Sequence, residues 1–281
     1  MSKVILIPSV KFYTDKKGRI KFKKLFTREK LTNFQHELLS YVLSDESANE
    51  LLFIKNEKLE PQSYEIVVNK NSVKCFYSTD DVKHNAILTL HQLLKNKSKL
   101  TTCIIKDKPD FEIRSVMIDI SRNKVPNIET FKEIINQLAL VKINDIQLYI
   151  EGRSFYFESM SKYYENPTDF LTGEDVIILR KYAKERNVTL TPNTNCFGHM
   201  AYWLNQKELN HLAYKKEGFV WSHNGLRGYA QTIDPTNEEA SKLVYDLFED
   251  LLKYYPSTKY FTIGGDEPFE LLFPEKDPNG K

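Results

Sequence analysis

The spacing of apolar and polar positions changes near residue 108 and predicts two regions of different architecture. In the first region, apolar and polar residues alternate at 63–70 and 72–78, which is the period-two pattern of a β-hairpin joined by a short turn. The predicted elements are strands at 4–13, 51–59, 63–70, 72–78 and 101–106 and helices at 27–43 and 79–95. Residues 1–108 therefore form a predicted α+β domain.

A polar stretch that contains Pro109, residues 106–110, marks the predicted boundary, and residues 109–281 form the second predicted domain. Here a strand, a loop and a helix follow one another repeatedly. The predicted strands lie at 115–120, 145–150, 188–193 and 259–263, and the predicted helices begin at a cap on Asn127, at a capping box of Thr172 and Asp175, and at a capping box of Thr236 and Glu239.

Alternating strands and helices predict a parallel sheet and the α/β class. The long loops after the strands favour the first half, about four βα units, of a (β/α)8 TIM barrel, and a doubly wound sheet is the alternative. The predicted fold is thus an N-terminal α+β domain followed by half of a barrel.

Composition narrows the class of protein further. Of the 281 residues, 41% are hydrophobic, which suffices for a sizeable core. We expect no membrane span, because no apolar run reaches about 18 residues, and the N-terminus reads as a strand rather than a signal peptide. With 40 basic and 38 acidic residues, we expect no nucleic-acid partner. Three widely spaced cysteines predict neither disulfides nor a zinc site and favour a cytoplasmic location.

Polar side chains follow the predicted strands at their carboxyl ends, where the catalytic groups of (β/α)8 barrels lie. Aromatic faces stack on sugar rings, and carboxylates and amides bind hydroxyl groups, so this combination predicts a carbohydrate site. The polar set is Asp119, Ser121, Arg122, Glu151, Asn193, Asn195, His199, Asp266 and Glu267, with Tyr149, Phe155, Tyr156, Trp203 and Trp221 as the aromatic set.

Each of these residues also has a structural explanation, and the residues alone leave both open. Asp119 lies within an apolar strand and could form an ion pair there, and a lone His199 is more often a structural hydrogen-bonding residue than a catalyst. Asp266 and Glu267 could form an acidic turn on the preceding glycines. Such a turn does not explain why an apolar strand leads directly into two adjacent carboxylates.

Four stretches carry a resemblance to a known family. From about residue 111 onward, the chain resembles glycoside hydrolase family 20, the β-N-acetylhexosaminidases, as a divergent branch that is truncated at its C-terminus. The matching stretches are RSVMIDISR at 114–122, KINDIQLYIE at 142–151, PNTNCFGHM at 192–200 and IGGDE at 263–267. The chain differs from the family pattern at Thr262, where a histidine is usual, and at Asn193 and Asn195, where acids are usual.

The resemblance implies specific roles. Arg114 would bind hydroxyl groups of the terminal sugar and Glu151 would hold that arginine, while Asn195 and His199 complete the substrate-binding set. It also implies substrate-assisted catalysis, in which the sugar's own 2-acetamido group is the nucleophile. Glu267 would then be the general acid and base, and Asp266 would orient the acetamide. A nearby anion raises the pKa of an acid that must stay protonated.

The implied partner is an oligosaccharide or glycoconjugate that contains an amino sugar, and we expect no cofactor and no metal. A diguanylate cyclase is rejected because too little chain follows Glu267, and a metal site on Asp119, Asp266 and Glu267 is rejected because no acidic loop has suitable spacing. A non-catalytic carbohydrate-binding or interaction module stays open. We further expect this chain to be an inactive fragment that self-associates through exposed sheet edges.

Overall fold

The computed structural model describes residues 5–95, 101–122, 124–164, 170–221 and 225–272. The chain forms two compact units, each described by itself below. The first consists of residues 1–114, 133–144 and 183–188, and the second consists of residues 115–132, 145–182 and 189–281. Residue 108, the predicted boundary, lies inside the first unit, and the division into domains at that residue stays a prediction.

In the described part of the first unit, five strands form one mixed sheet in the order β1-β5-β3-β4-β2. Strand β2 runs parallel to β4, and the other neighbours are antiparallel. The elements are β1 Phe12–Arg19, α1 Asn33–Leu39, β2 Glu50–Lys55, β3 Tyr64–Val68, β4 Ser72–Tyr77, α2 Asp80–Lys95 and β5 Thr101–Asp107. The predicted hairpin is confirmed by the antiparallel pairing of β3 with β4, and Ile66 and Cys75, which face each other in it, are fully buried.

Two elements of this unit differ from the prediction. Strand β1 begins at Phe12, although the predicted strand covered 4–13, and residues 1–4 lie outside the described chain. The polar β1 segment pairs with β5, whereas Ile5 and Ile7 are exposed, so pairing rather than apolarity decides which residues form the strand. Helix α1 is shorter than predicted because Thr32 caps it in a reciprocal capping box with Gln35.

The second unit contains a parallel sheet of β6, β7 and β8, so the chain as a whole has mixed α/β content. Its elements are β6 Ser115–Asp119, α3 Ile128–Leu140, β7 Asp145–Ile150, α4 Gly173–Lys184, β8 Thr189–Thr194, α5 Ala201–Leu204, α6 Glu238–Leu252 and α7 Phe269–Leu272, with α3 and α4 ending in segments of the first unit. The residues described here form no closed barrel.

The fourth predicted strand, at 259–263, is reduced to a single bridge. Thr262 pairs with Asn193 of β8, and its backbone exchanges hydrogen bonds of 3.0 Å with Pro192 and Thr194. Directly afterwards Gly264 adopts a φ of +70°, a left-handed conformation that ends the extended backbone. The prediction of a full strand is therefore wrong, although the chain does return to the edge of β8.

The helix caps of this unit were predicted with mixed success. The box of Thr172 and Asp175 is confirmed. Asp175 N donates to Thr172 Oγ1 at 3.2 Å, and Thr172 N donates to Asp175 Oδ2 at 2.9 Å. Helix α6 begins instead from Asn237, whose Oδ1 accepts from Glu239 N at 2.9 Å. The Thr236 hydroxyl is turned away to Asp234 Oδ1 at 2.7 Å, so the predicted box at Thr236 does not form.

Across the described ranges, none of the helices combines the length and the apolar character that crossing a bilayer requires.

Candidate active site

The predicted polar groups of the second unit converge at one edge of its sheet. Strands β6, β7 and β8 are parallel, so their carboxyl ends share that edge. The residues that follow these ends include Arg122, Glu151 and His199, and the bridge at Thr262 brings the following turn to the end of β8. The site is therefore assembled from four separate stretches of sequence.

The adjacent carboxylates of Asp266 and Glu267 both approach the same imidazole nitrogen. His199 Nε2 lies 3.2 Å from Glu267 Oε2 and 3.5 Å from Asp266 Oδ2. The histidine side chain is only 9% exposed, whereas the side chains of Asp266 and Glu267 are 61% and 54% exposed. A buried imidazole thus supports two carboxylates that remain accessible to a ligand.

The backbone at this point is shaped to bring the two loops together. A Cβ atom on Gly198 would lie 2.2 Å from the carbonyl oxygen of Asp266, so only glycine permits this approach. His199 and Glu267 themselves adopt positive φ angles of 58° and 48°. Residues other than glycine rarely adopt this conformation, which costs of order 1 kcal/mol or more and is typical of functional sites.

On the other side of the imidazole, Glu151 links the histidine to an arginine. Glu151 Oε2 lies 3.8 Å from His199 Nδ1 and 3.0 Å from Arg122 Nη2, and Arg122 also pairs with Asp119 at 3.1 Å. The guanidinium lies 4.9 Å from the centre of the Tyr149 ring. Burial opposes the charged form of Arg122, but Tyr149, Glu151 and Asp119 outweigh it and raise its pKa.

Arg114, the predicted sugar-binding arginine, is not part of this cluster. It belongs to the first unit and precedes β6, whereas the site residues follow the strands. Its guanidinium donates to the carbonyl oxygens of Lys142 at 2.8 Å, Phe111 at 2.8 Å and Glu112 at 3.1 Å, and burial lowers its pKa. Glu151 therefore pairs with Arg122 and not, as expected, with Arg114.

Asn195 reaches the cluster through a tyrosine. Its Nδ2 donates to the Tyr149 hydroxyl at 2.6 Å, and that hydroxyl donates to Glu151 Oε2 at 3.3 Å. Burial is the main cause that raises the pKa of Tyr149, although its hydrogen bonds with Asn195 and Arg122 oppose the shift. The Oδ1 atoms of Asn193 and Asn195 are buried and have no hydrogen-bond partner among the described residues. Asn195 thus contacts the site indirectly.

The predicted aromatic surface is only partly accessible. Phe155 and Trp203 are fully buried and Tyr149 is buried, so these rings belong to the core rather than to a sugar-stacking face. A cleft of about 730 Å³ does adjoin Glu151, with Ser121, Arg153, Phe170 and Tyr202 among its lining residues. Sequence reasoning placed Arg122 at the end of β6 but missed its pairing with Glu151, which only the register of the parallel strands reveals.

In the part of the chain that the structure describes, no group of three or more histidine, cysteine, aspartate or glutamate side chains is arranged to hold a metal ion. Asp119, which the rejected metal site would have used, pairs with Arg122.

Paired carboxylates that share a histidine, at the carboxyl ends of parallel strands, form a site that is suited to general acid–base catalysis. Residues 111–278 match the family model described as "Glycosyl hydrolase family 20, catalytic domain". The chain belongs to this family of glycoside hydrolases, which confirms the resemblance carried by the four sequence stretches.

Known relatives agree with this assignment. The chain is 25% identical over 243 residues to the chitooligosaccharidolytic β-N-acetylglucosaminidase of Bombyx mori, covering 79% of this chain and 40% of that protein. It is 26% identical over 220 residues to the β-hexosaminidase subunit beta of Entamoeba histolytica, covering 73% and 38%. The chain thus spans less than half the length of these relatives.

Solved structures show the same fold. The exo-β-N-acetylglucosaminidase of Vibrio harveyi, in complex with N-acetylglucosamine, superposes with a TM-score of 0.75 at 21% identity and covers 93% of this chain and 46% of its own. The β-N-acetylhexosaminidase of Bacteroides fragilis gives 0.73 at 19% identity, with coverage of 94% and 57%. These likenesses concern the fold.

Proposed function

We propose that this chain carries the catalytic carboxylates of a retaining exo-glycosidase that removes terminal β-linked N-acetylhexosamine from glycans or glycoconjugates. One observation carries the proposal: His199 Nε2 lies within 3.2 Å of Glu267 and 3.5 Å of Asp266, at the carboxyl ends of parallel strands. Two relatives support the proposal by their names, a β-N-acetylglucosaminidase of Bombyx mori and a β-hexosaminidase subunit of Entamoeba histolytica.

The proposed mechanism is substrate-assisted. The acetamide oxygen attacks the anomeric carbon, and the glycosidic bond breaks as Glu267 gives its proton to the leaving oxygen. Water then attacks the anomeric carbon of the oxazolinium ion, Glu267 takes a proton from that water, and the bond to the acetamide oxygen breaks with net retention. Most retaining glycosidases use a carboxylate nucleophile instead, and this family is among the exceptions.

Neighbouring side chains divide the remaining work. Asp266 orients the acetamide and offsets the positive charge that develops on it. His199 lies between Glu267 and Glu151, so its imidazole holds the Glu267 carboxyl group in place. Through the imidazole, the Glu151 carboxylate also influences the charge near Glu267. Arg122, fixed by Asp119 and Glu151, is proposed as the residue that binds sugar hydroxyls, in place of Arg114.

We further propose that β6, β7, β8 and the bridge at Thr262 form the first part of a (β/α)8 barrel. The parallel pairing, the helices that follow β6 and β7, and the site at the carboxyl ends support this. We expect the 281-residue chain by itself to hydrolyse only weakly, because Asp266 and Glu267 are exposed and preorganised charges act most strongly where water is excluded.

The cytoplasmic location stays a prediction.

Kinetics of two carboxylate variants test the division of roles. Glu267→Gln should slow hydrolysis of a natural disaccharide by about 100-fold or more and that of a 4-nitrophenyl glycoside much less, since 4-nitrophenolate leaves without a proton. Asp266→Asn should cost about 3 to 4 kcal/mol of transition-state stabilisation with either leaving group, and much less on a 2-hydroxyl sugar that lacks the acetamide.

Asp246→Asn is the matched control, because Asp246 forms an ion pair with Lys242 on α6 away from the site. Equal responses of Glu267→Gln and Asp266→Asn to leaving group and acetamide would refute the division of roles. Binding of N-acetylglucosamine without turnover, and with no tighter binding of a thiazoline analogue of the cyclised sugar, would favour the alternative, a non-catalytic carbohydrate-binding module. The amides at Asn193 and Asn195, where the family has acids, are the feature that keeps this alternative in view.

A further inference from the structure

A second glutamate near the catalytic pair is almost completely buried. Glu270 lies in α7, three positions after Glu267, and the residue is only 1% exposed. Both of its carboxylate oxygens accept hydrogen bonds: Oε1 from Gln231 N at 2.6 Å and from Thr232 N at 3.2 Å, and Oε2 from the Thr232 hydroxyl. Breaking these hydrogen bonds would leave a buried carboxylate unsatisfied, which costs a large amount of free energy, so the contacts are strongly maintained.

The 231–233 segment, which Glu270 holds, connects the turn that carries Glu267 with the loop that carries His199. The 231–233 segment contacts the catalytic turn through Gln231 Nε2, which donates to the Glu267 carbonyl oxygen at 2.9 Å. The same segment holds the loop that carries His199, because Met200 N donates to Gln231 O and Ile233 N donates to Phe197 O, both at 2.9 Å. The hydrogen bonds to Phe197 and Met200 therefore bracket the histidine.

We propose that Glu270 is a positioning residue for the general acid. It anchors the 231–233 segment to α7, and the segment in turn fixes the backbone of Glu267 relative to the loop of His199. Glu267 has a side chain that is about half exposed and a strained backbone, so its own packing does not fix the distance to the imidazole. This inference rests on the proposed role of Glu267 as the acid, since a displacement of about 1 Å at such a group costs about 100-fold in rate.

Three variants and one control test the proposal. Glu270→Ala removes the anchor. Glu270→Gln is the conservative variant, because its amide oxygen can still accept from the two backbone N–H groups while its NH2 donates to Thr232 Oγ1. Thr232→Val removes one donor and keeps the shape. Asp145→Ala removes another buried carboxylate of the same unit, which accepts from Ser115 and Thr191 at the opposite ends of the strands.

Dependence on the leaving group distinguishes positioning from general damage. We expect Glu270→Ala to lower kcat by about 100-fold for a disaccharide and by less than 10-fold for a 4-nitrophenyl glycoside, with KM little changed. Thr232→Val should show a smaller loss with the same selectivity, and Glu270→Gln should retain most of the activity. Asp145→Ala should affect both substrates equally. Equal losses on both substrates in Glu270→Ala or, if that variant does not fold, in Thr232→Val would overturn the proposal.

Hydrogen–deuterium exchange provides a readout that does not need turnover. Glu270→Ala, and to a lesser degree Thr232→Val, should speed exchange in residues 196–201, whereas Asp145→Ala should leave that stretch as in the wild type. If the wild type hydrolyses neither substrate, as expected of an inactive fragment, binding of N-acetylglucosamine tests the proposed function, and the exchange data separately decide whether Glu270 holds the His199 loop. Unchanged exchange at 196–201 in both variants would overturn the positioning role.

Discussion

At the level of single residues, two arginines illustrate how position relative to a strand decides which groups a side chain meets. Arg114 and Arg122 flank the same strand, β6, but they lie before and after it. Only the carboxyl ends of parallel strands converge on the site, so Arg122 meets Glu151 while Arg114 is bound by backbone carbonyl groups. A motif match in the sequence does not distinguish the two, whereas the strand direction does.

Lysine substitutions at these two positions test the assignment. Arg122→Lys should weaken binding of N-acetylglucosamine by about 10-fold or more, because a planar fork with several donors is replaced by a point charge. Arg114→Lys should leave the dissociation constant within about twofold, since its guanidinium serves the backbone. Titration calorimetry measures both constants. A larger loss in Arg114→Lys than in Arg122→Lys would return the sugar-binding role to Arg114.

At the scale of elements, the sequence predicts those whose pattern is decided locally. Strand β7 at 145–150 is almost entirely buried and carries Ile146, Leu148 and Ile150 at alternate positions. The capping box of Thr172 and Asp175 involves neighbours in the chain, so both elements are as predicted. Strand β1 and the segment at 259–263 depend on partners far along the chain. Thr236 and Asn237 both belong to residue types that commonly cap helices. In the structure the Thr236 hydroxyl donates to Asp234 and Asn237 caps α6.

Helix α2 carries a histidine that should make the first unit sensitive to acid. Burial, with a contribution from the positive charge of Arg186, lowers the pKa of His84 to about 4. Between pH 6.5 and 4 the unfolded chain binds a proton that the folded chain does not, so stability is full above pH 6.5 and falls as the pH is lowered. The loss approaches about 3 kcal/mol at pH 4.

Urea unfolding between pH 4 and 7 measures this loss. His84→Leu should flatten the dependence of the free energy of unfolding on pH, whereas His36→Gln, at an exposed position on α1, should leave it as in the wild type. If the His84→Leu protein kept the full wild-type slope, this histidine would not be the source of acid sensitivity.

At the scale of the whole molecule, the parallel sheet of the second unit has an exposed apolar edge. Strand β6 pairs with β7 on one side, and no further strand covers its other side within the described ranges. Met117, in the middle of β6, is 59% exposed. Unpaired strand edges with apolar side chains favour pairing with another chain, so we propose that the chain self-associates through this edge, as expected from the sequence.

Sedimentation velocity over a range of protein concentrations tests this proposal. We expect the wild-type chain to form reversible oligomers, and Met117→Lys to shift the distribution toward monomer because a charge on an edge strand opposes pairing. Ile177→Lys, at an exposed position on α4, is the matched control and should not shift it. A wild-type chain that stays monomeric at all concentrations would refute the proposal.

In the proposed mechanism, Asp266 and Glu267 support catalysis by the substrate's own acetamide group. Calorimetric titration with a thiazoline analogue of the cyclised sugar tests it most directly, because this compound resembles the proposed intermediate and its binding requires no turnover. We predict that the 281-residue chain binds the thiazoline at least about 100-fold more tightly than N-acetylglucosamine. Asp266→Asn should remove most of that advantage, and Asp246→Asn should keep it. A thiazoline that binds no more tightly than the sugar, or an advantage that survives Asp266→Asn, would refute the substrate-assisted mechanism.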